Sequence, residues 1–336
     1  MNAQNNNNFV ENSVLNSDME FILEHAIMAP SRYNSQPWKF IVSDNQISVF
    51  PDFKRALTVS DKPQRELYVS LGCVIENIKI SAAEIGYIAE IILNTNEESG
   101  VFVTIFIKKA DVIHDSLFKQ IKRRQINYNI FDKFILPNTL IKMVQSIKIE
   151  KGVNVRYYQN GSREFEELKN LILSGNRIQI KSLKFRNELI KWLRINQNEV
   201  DKFKCGLPYW LLGMPPMPKF WGVLLVRIII LFRIHLIKDL LRISSSSHLA
   251  LFTVEEDTPL SWVSLGITLD RFLLKTTSYE IAHSYFSQPC SINSLSLIMK
   301  DKLALYNEYP IMLLRIGYAD RVRNTLRRSL NQMLVN

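Results

Sequence analysis

Apolar residues along this chain fall mostly at helical spacing, interrupted by short runs of strand character. Leu67, Leu71, Val74, Ile75, Ile78, Ala82 and Ile85 recur every three or four positions and predict one long helix. Leu265, Leu269, Phe272, Leu273 and Thr276 predict a second, and a strand-like run follows each, at 101–107 and 311–316. Residues 39–42 and 47–50 read as a hairpin turning at Asp44-Asn45, and 249–254 as a further strand. Ser17 and Glu20 form a capping box that opens a helix running to Met28 and ending before Pro30. Residues 213–218 form a proline-rich loop that must end one helix before the next begins. The four serines at 244–247 read as a flexible hinge. Helices mixed with short strands predict an α+β layered fold.

The two long helices share more than their period. Val69-Ser70-Leu71-Gly72 recurs identically as Val263-Ser264-Leu265-Gly266, and Asp-x-Pro precedes each copy, at Asp61-Lys62-Pro63 and Asp257-Thr258-Pro259. The same order of helix and strand after each copy predicts two fused halves of similar fold, packed like a dimer within one chain. The halves are expected at 18–115 and 116–330, with the junction near 108–122.

Length and charge narrow this picture. The 336 residues suit about two domains at roughly 150 residues each. Apolar residues make up 47% and charged residues 22%, which is ordinary globular usage and excludes wholesale disorder. Cys73, Cys205 and Cys290 lie far apart, as do the five histidines, so neither a disulfide framework nor a bound metal is expected. The first seventeen residues are asparagine-rich and lack the basic start and apolar middle of a secretory signal. A disordered lead-in over 1–17 and a cytoplasmic location are the expectations that follow. The net charge of +10 admits nucleic acid, anionic lipid or a phosphorylated ligand. No nucleic-acid module or basic–aromatic interleaving is present, which leaves the other two.

The most apolar stretch, 220–232, is shorter than the roughly 20 residues that a spanning helix needs, and Arg227 interrupts it. Continued through Arg233, Lys238 and Arg242, it reads as a buried or lid helix, with the surface of a membrane as the alternative use of 220–242.

Candidate chemistry concentrates in Ala29-Pro30-Ser31-Arg32-Tyr33-Asn34-Ser35-Gln36-Pro37-Trp38. Two prolines frame a loop whose Ser31, Asn34 and Gln36 offer hydroxyl and amide groups to the polar edge of a flat heterocycle. This A-P-S-x-x-N-x-Q-P-W run resembles the flavin-contacting signature of the nitroreductase family. The likeness continues through Asp52, Arg55, Asp61, Arg65-Glu66 and the helix that follows, and is similar to the Acg-like branch, in which two nitroreductase-type halves lie on one chain. Arg123-Arg124-Gln125-Ile126-Asn127-Tyr128 resembles the family's early R-R-T-N-R motif, and Arg315 to Tyr318 with Arg327-Arg328 its late basic segment. Each half carries only part of the signature, so the resemblance implies one FMN site per chain. It implies cofactor contacts from Pro30, Ser31, Asn34, Gln36, Arg124, Asn127, Arg327 and Arg328. The motif departs at Ile126 and Tyr128, which implies a weaker hold on FMN.

What the resemblance implies for function is an FMN-dependent NAD(P)H oxidoreductase that passes hydride to a nitro, quinone or similar small-molecule acceptor. No catalytic acid, base or nucleophile is required, because the flavin carries the chemistry. The branch further implies a lid, expected about 205–245. A lid closed over the ring gives the alternative of a flavin-sequestering protein with little turnover. The assembly implied is a monomer with a pseudo-dimeric core, or a homodimer.

Overall fold

The computed structural model describes residues 15–96, 100–231 and 234–335. Most of the expected lead-in, and Arg233, lie outside the described residues. Two antiparallel four-stranded sheets organise the chain. The first comprises β1 (Trp38–Ser43), β2 (Gln46–Pro51), β3 (Tyr87–Asn96) and β4 (Gly100–Lys109), in the order β1-β2-β4-β3. The second comprises β5 (Val153–Gln159), β6 (His248–Val254), β7 (Ala282–Tyr285) and β8 (Tyr309–Gly317), in the order β5-β6-β8-β7. Both sheets therefore repeat one topology. In each, a 20-residue helix joins the second strand to the third: α2 (Arg65–Glu84) in the first and α10 (Pro259–Ser278) in the second. A shorter helix precedes each sheet, α1 (Ser17–Ala26) and α4 (Asn138–Gln145), and the small α3 (Phe118–Ile121) lies between the halves.

The two long helices cross at the repeated tetrapeptide. A Cβ placed on Gly72 would lie 2.1 Å from the Val263 carbonyl oxygen, and one on Gly266 would lie 2.1 Å from that of Val69. The reciprocal contact makes the crossing a local two-fold, and only glycine permits backbones this close. Both helices are buried over most of their length, with a few polar side chains such as Glu76 and Arg271 among the apolar ones. Two ion pairs tie the halves together beside the crossing. Arg65 holds Asp257 through Nε at 2.9 Å, and Arg271 grips Glu76 through Nε and Nη2 at 2.5 and 2.9 Å.

Between β5 and β6 the second half carries α5 (Arg163–Lys181), α6 (Leu183–Trp192), α7 (Gln197–Phe203), α8 (Lys219–Leu231) and α9 (Ile234–Ser244). The helix expected to run on from 220 through Arg242 is described as α8 and α9 on either side of 232–233, which lie outside the described residues. At the other end of the chain, an arm leaves β8 and returns to the first sheet. There Phe40 N donates to Met333 O at 2.9 Å, and Val335 N to Phe40 O at 2.8 Å. Trp38, fully buried, donates its Nε1 to Met333 Sδ at 3.2 Å.

Four local expectations are corrected. Asn16, not Ser17, caps α1, accepting from Asp18 N at 2.9 Å, and the helix stops at Ala26. β3 was not foreseen. In the second half β7 intervenes between the long helix and β8. The four serines are no hinge. Ser245, Ser246 and Ser247 are buried, with Ser245 Oγ accepting from Phe131 N at 3.0 Å and Ser247 Oγ from Leu136 N at 2.7 Å. Hydroxyls that satisfy buried amides fix a segment that composition alone describes as loose.

Candidate functional site: a cavity between the two halves

A cavity of about 320 Å³ lies beside the helix crossing. Its walls come from the loop Pro30 to Asn34, the first turns of α2, the Arg124 to Tyr128 loop, the segment Leu207 to Leu212, the last turns of α9 and the C-terminal arm. Such a volume sits at the small end of the range for ligand pockets.

The Pro30 loop is held in an uncommon conformation. Tyr33, Asn34 and Gln36 have φ of 52°, 51° and 52°, in the left-handed region that L side chains seldom adopt. Surrounding hydrogen bonds impose it. Ser31 Oγ accepts from Gln36 N at 2.9 Å, and Asn34 Nδ2 donates to Leu326 O at 2.9 Å. The fully buried Gln36 amide donates to Lys204 O at 2.9 Å and accepts from Arg328 N at 2.9 Å. The loop is thus clamped to the C-terminal arm on one side and to the segment after α7 on the other.

The cationic end of the cavity is built by two arginines. Arg124 donates through Nη2 to Met28 O at 3.3 Å, and its Nη1 is buried without a hydrogen-bond partner. Arg327 donates through Nη2 to Met28 O at 3.1 Å, and its Nε is likewise buried and unsatisfied. Burial first, and then the like charge of Arg124, lower the Arg327 guanidinium to about 9. Neither arginine forms an ion pair among the described residues. Burial pushes the Asp270 carboxyl up to about 8, against the pull of Arg124. Two guanidinium groups that each keep a buried N–H without a partner, and that form no ion pair among the described residues, make a place for an anion with several acceptor oxygens.

The expected site residues divide into two groups. Pro30, Ser31, Asn34, Arg124 and Arg327 line the cavity. Gln36, Asn127 and Arg328 stand behind its wall. Asn127 donates through Nδ2 to Asp320 O at 2.8 Å, fixing the start of the C-terminal arm, while Arg328 holds Gln36. Arg315 also stands apart. It is fully buried and donates to Ser284 Oγ at 2.6 Å, Arg242 O at 2.7 Å, and the carbonyls of Asn127 and Asn129 at 3.0 and 2.6 Å. It ties α9 to the Arg124 loop rather than facing the cavity.

Other cavity residues were not among the expected contacts. Arg32 and Glu66 pair across the wall, and Arg242 pairs with Asp239 at 3.2 Å while lying 5.9 Å from the Tyr128 ring. Only chain folding brings α9 here; the i,i+3 spacing of Asp239 and Arg242 was the sole local signal. The Cys73 thiol, also on the wall, is pushed up by burial and donates to Gly266 O at 3.3 Å, so it is no nucleophile. Among the described residues no group of three or more His, Cys, Asp or Glu side chains is placed to hold a metal ion.

The chain is similar to several known proteins. Residues 4–82 match the sequence model of the family described as "Putative TM nitroreductase". A "Putative NAD(P)H nitroreductase acg" of Mycobacterium tuberculosis is 35% identical over 66 residues, about 20% of either chain. That match spans about a fifth of the relative's length. A second "Putative NAD(P)H nitroreductase" of the same organism is 21% identical over 332 residues, covering 93% of this chain and 90% of its own. Among solved structures, the FMN-dependent nitroreductase NfnB from Mycobacterium smegmatis in complex with NADPH aligns at 14% identity with a TM-score of 0.42. The alignment covers 64% of this chain and 94% of that one. By sequence, then, the chain is similar to the nitroreductase family model over residues 4–82 and, at 21% identity, to a protein named a putative NAD(P)H nitroreductase along nearly its whole length.

Proposed function

We propose that this protein is an FMN-dependent NAD(P)H oxidoreductase of nitroreductase type, with one flavin site per chain. The observation that carries the reading is the pair of guanidinium groups of Arg124 and Arg327, each with one buried N–H that lacks a partner, which meet at the Met28 carbonyl where the Pro30 to Asn34 loop begins and line the same cavity as that loop. A phosphomonoester satisfies both arginines, and their planar forks grip it without loss of charge. Ser31 and Asn34 stand where the polar edge of a flat ring would be met, and the apolar flank of α2 at Val69 and Cys73 gives that ring a dry backing. Bound there, FMN would supply the redox chemistry, taking hydride from a reduced nicotinamide and passing it to a nitro, quinone or similar acceptor. The chain's own residues would bind and orient it, Arg124 and Arg327 at the phosphate and Ser31 and Asn34 at the ring edge, and the proton that accompanies the hydride would come from solvent. Both walls belong to one polypeptide, so a monomer suffices, and use of NAD(P)H fits a cytoplasmic location.

The second reading, flavin sequestration with little turnover, is favoured by the lid. Leu207, Leu211, Leu212 and Arg242 all line the cavity, and Arg315 and the buried serines anchor the end of α9. One experiment separates the two. Purified protein is reconstituted with FMN and mixed anaerobically with NADH or NADPH while flavin absorbance is followed. Bleaching with either nucleotide supports the oxidoreductase, and a bound flavin that stays oxidised with both supports sequestration. Failure to bind FMN at all overturns both.

A further inference from the structure

Outside the cavity, α8 and α9 carry large exposed apolar side chains. On α8, Phe220 is 71% exposed and Trp221 59%, with Leu224 and Ile228 exposed beside them. On α9, Ile237 is 61% exposed and Leu241 50%. Their inner faces are spoken for: a Cβ on Gly222 would lie 2.1 Å from Ile195 Cγ2, and Val226 packs in the cluster with Ile195. Apolar side chains this large and this close together on a surface mark a place where something docks.

Charge says what docks. Residues 219–238 contain Lys219, Arg227, Arg233 and Lys238 and not one carboxylate. Lys219 is held by Glu199 at 2.7 Å, whereas Arg227 and Lys238 are exposed and form no ion pair among the described residues. The one acid in α9, Asp239, is engaged with Arg242 and Asn176. A second copy of the chain packing two-fold on this face would set Arg227 and Lys238 against cations of the same kind. An anionic lipid surface meets both demands at once: its acyl boundary takes the aromatic and aliphatic side chains, and its headgroups take the cations. We propose that the outer face of α8 and α9 docks the protein on anionic membranes, with the helices lying along the surface. Among the described residues no helix is long and apolar enough to cross a membrane. The inference stands independently of the flavin.

The test uses the full chain and flotation with vesicles of phosphatidylcholine alone, or of phosphatidylcholine with phosphatidylglycerol. The protein floats with the anionic vesicles and not with the neutral ones, and added salt releases it. Arg227→Glu combined with Lys238→Glu lowers partitioning by about tenfold or more. Trp221→Ser combined with Ile237→Ser does the same. Thermal midpoints close to wild type show that these exposed changes leave the fold intact. No flotation with anionic vesicles, equal flotation with neutral ones, or retention of binding in the folded variants would overturn the proposal. So would a wild-type dimer in sedimentation that Trp221→Ser dissolves, because a second copy would then cover the face.

Discussion

Arg124 and Arg327 donate to the same acceptor, the carbonyl oxygen of Met28, at 3.3 and 3.1 Å. One carbonyl in the segment leading to the Pro30 loop thus aims two cations from the other half of the chain at a single point. Arg124→Gln and Arg327→Gln are each expected to weaken FMN by about ten- to a hundredfold, the worth of a charge-assisted hydrogen bond. Riboflavin, which lacks the phosphate, should bind wild type and both variants alike in a fluorescence-quenching titration. Arg321→Ala is the control, since Arg321 reaches Glu280 and the Arg123 carbonyl on the outside. An equal loss in all three variants would contradict the phosphate assignment.

Gly72→Ala should destabilise the protein by about 1–3 kcal/mol or more, through overpacking against the Val263 carbonyl. Gly266→Ala should cost a similar amount because the contact is reciprocal. Urea unfolding gives both values. A change below about 0.5 kcal/mol in either, the size of an ordinary surface substitution, would mean the crossing is looser than described.

Asp270 supplies a pH test. Its carboxyl is buried without a hydrogen-bond partner and is raised from 3.8 to about 8, by desolvation first. Between those values the folded protein holds a proton there that the unfolded chain has lost. The contribution of this group to stability therefore falls as pH rises from about 4 to about 8. Asp270→Asn removes that slope, so the variant should gain on wild type between pH 5 and pH 9. Parallel pH–stability curves for the two proteins would refute it.

The Glu76–Arg271 pair is buried and also reaches Glu150 at 2.8 Å. Breaking it by Arg271→Met leaves the buried Glu76 carboxylate with Lys79, at 3.3 Å, as its remaining cation and is expected to cost about 1–3 kcal/mol. Adding Glu76→Leu should recover part of the loss, because the desolvation penalty leaves together with the charge. A double-mutant cycle that shows strict additivity would indicate that the two side chains do not act as a pair.

Much of this organisation was legible before any coordinates. Val-Ser-Leu-Gly occurs twice because each copy is the other's packing partner, so the sequence identity and the helix crossing are one constraint seen twice. Pro30, Ser31 and Asn34 line the cavity together because a short loop keeps its chemistry contiguous. β3 escaped because it is an edge strand with little burial pattern: Ile88 and Ile92 face solvent, and Glu90 and Asn94 break its apolar run. The serines were misread because polarity does not reveal that buried amides await those hydroxyls. Gln36, Asn127 and Arg328 belong to the same motifs but stand off the cavity surface, because a motif preserves residue types and not the direction in which they point. Arg242 and Asp239 fall inside the lid that the resemblance implies at about 205–245, but which lid residues meet the cavity is set by the fold, which returns α9 across a long stretch of chain.

The C-terminal arm has a consequence for how a bound molecule is kept. It carries Arg327 from the second sheet to the first and then zips onto β1 through Phe40, Met333 and Val335. Where two separate subunits share a site, dilution can part the walls; here both walls are covalently one, and their effective concentration is fixed by the chain. Occupancy should then follow the concentration of the small molecule alone, and a fully dilute protein should hold it as firmly as a concentrated one.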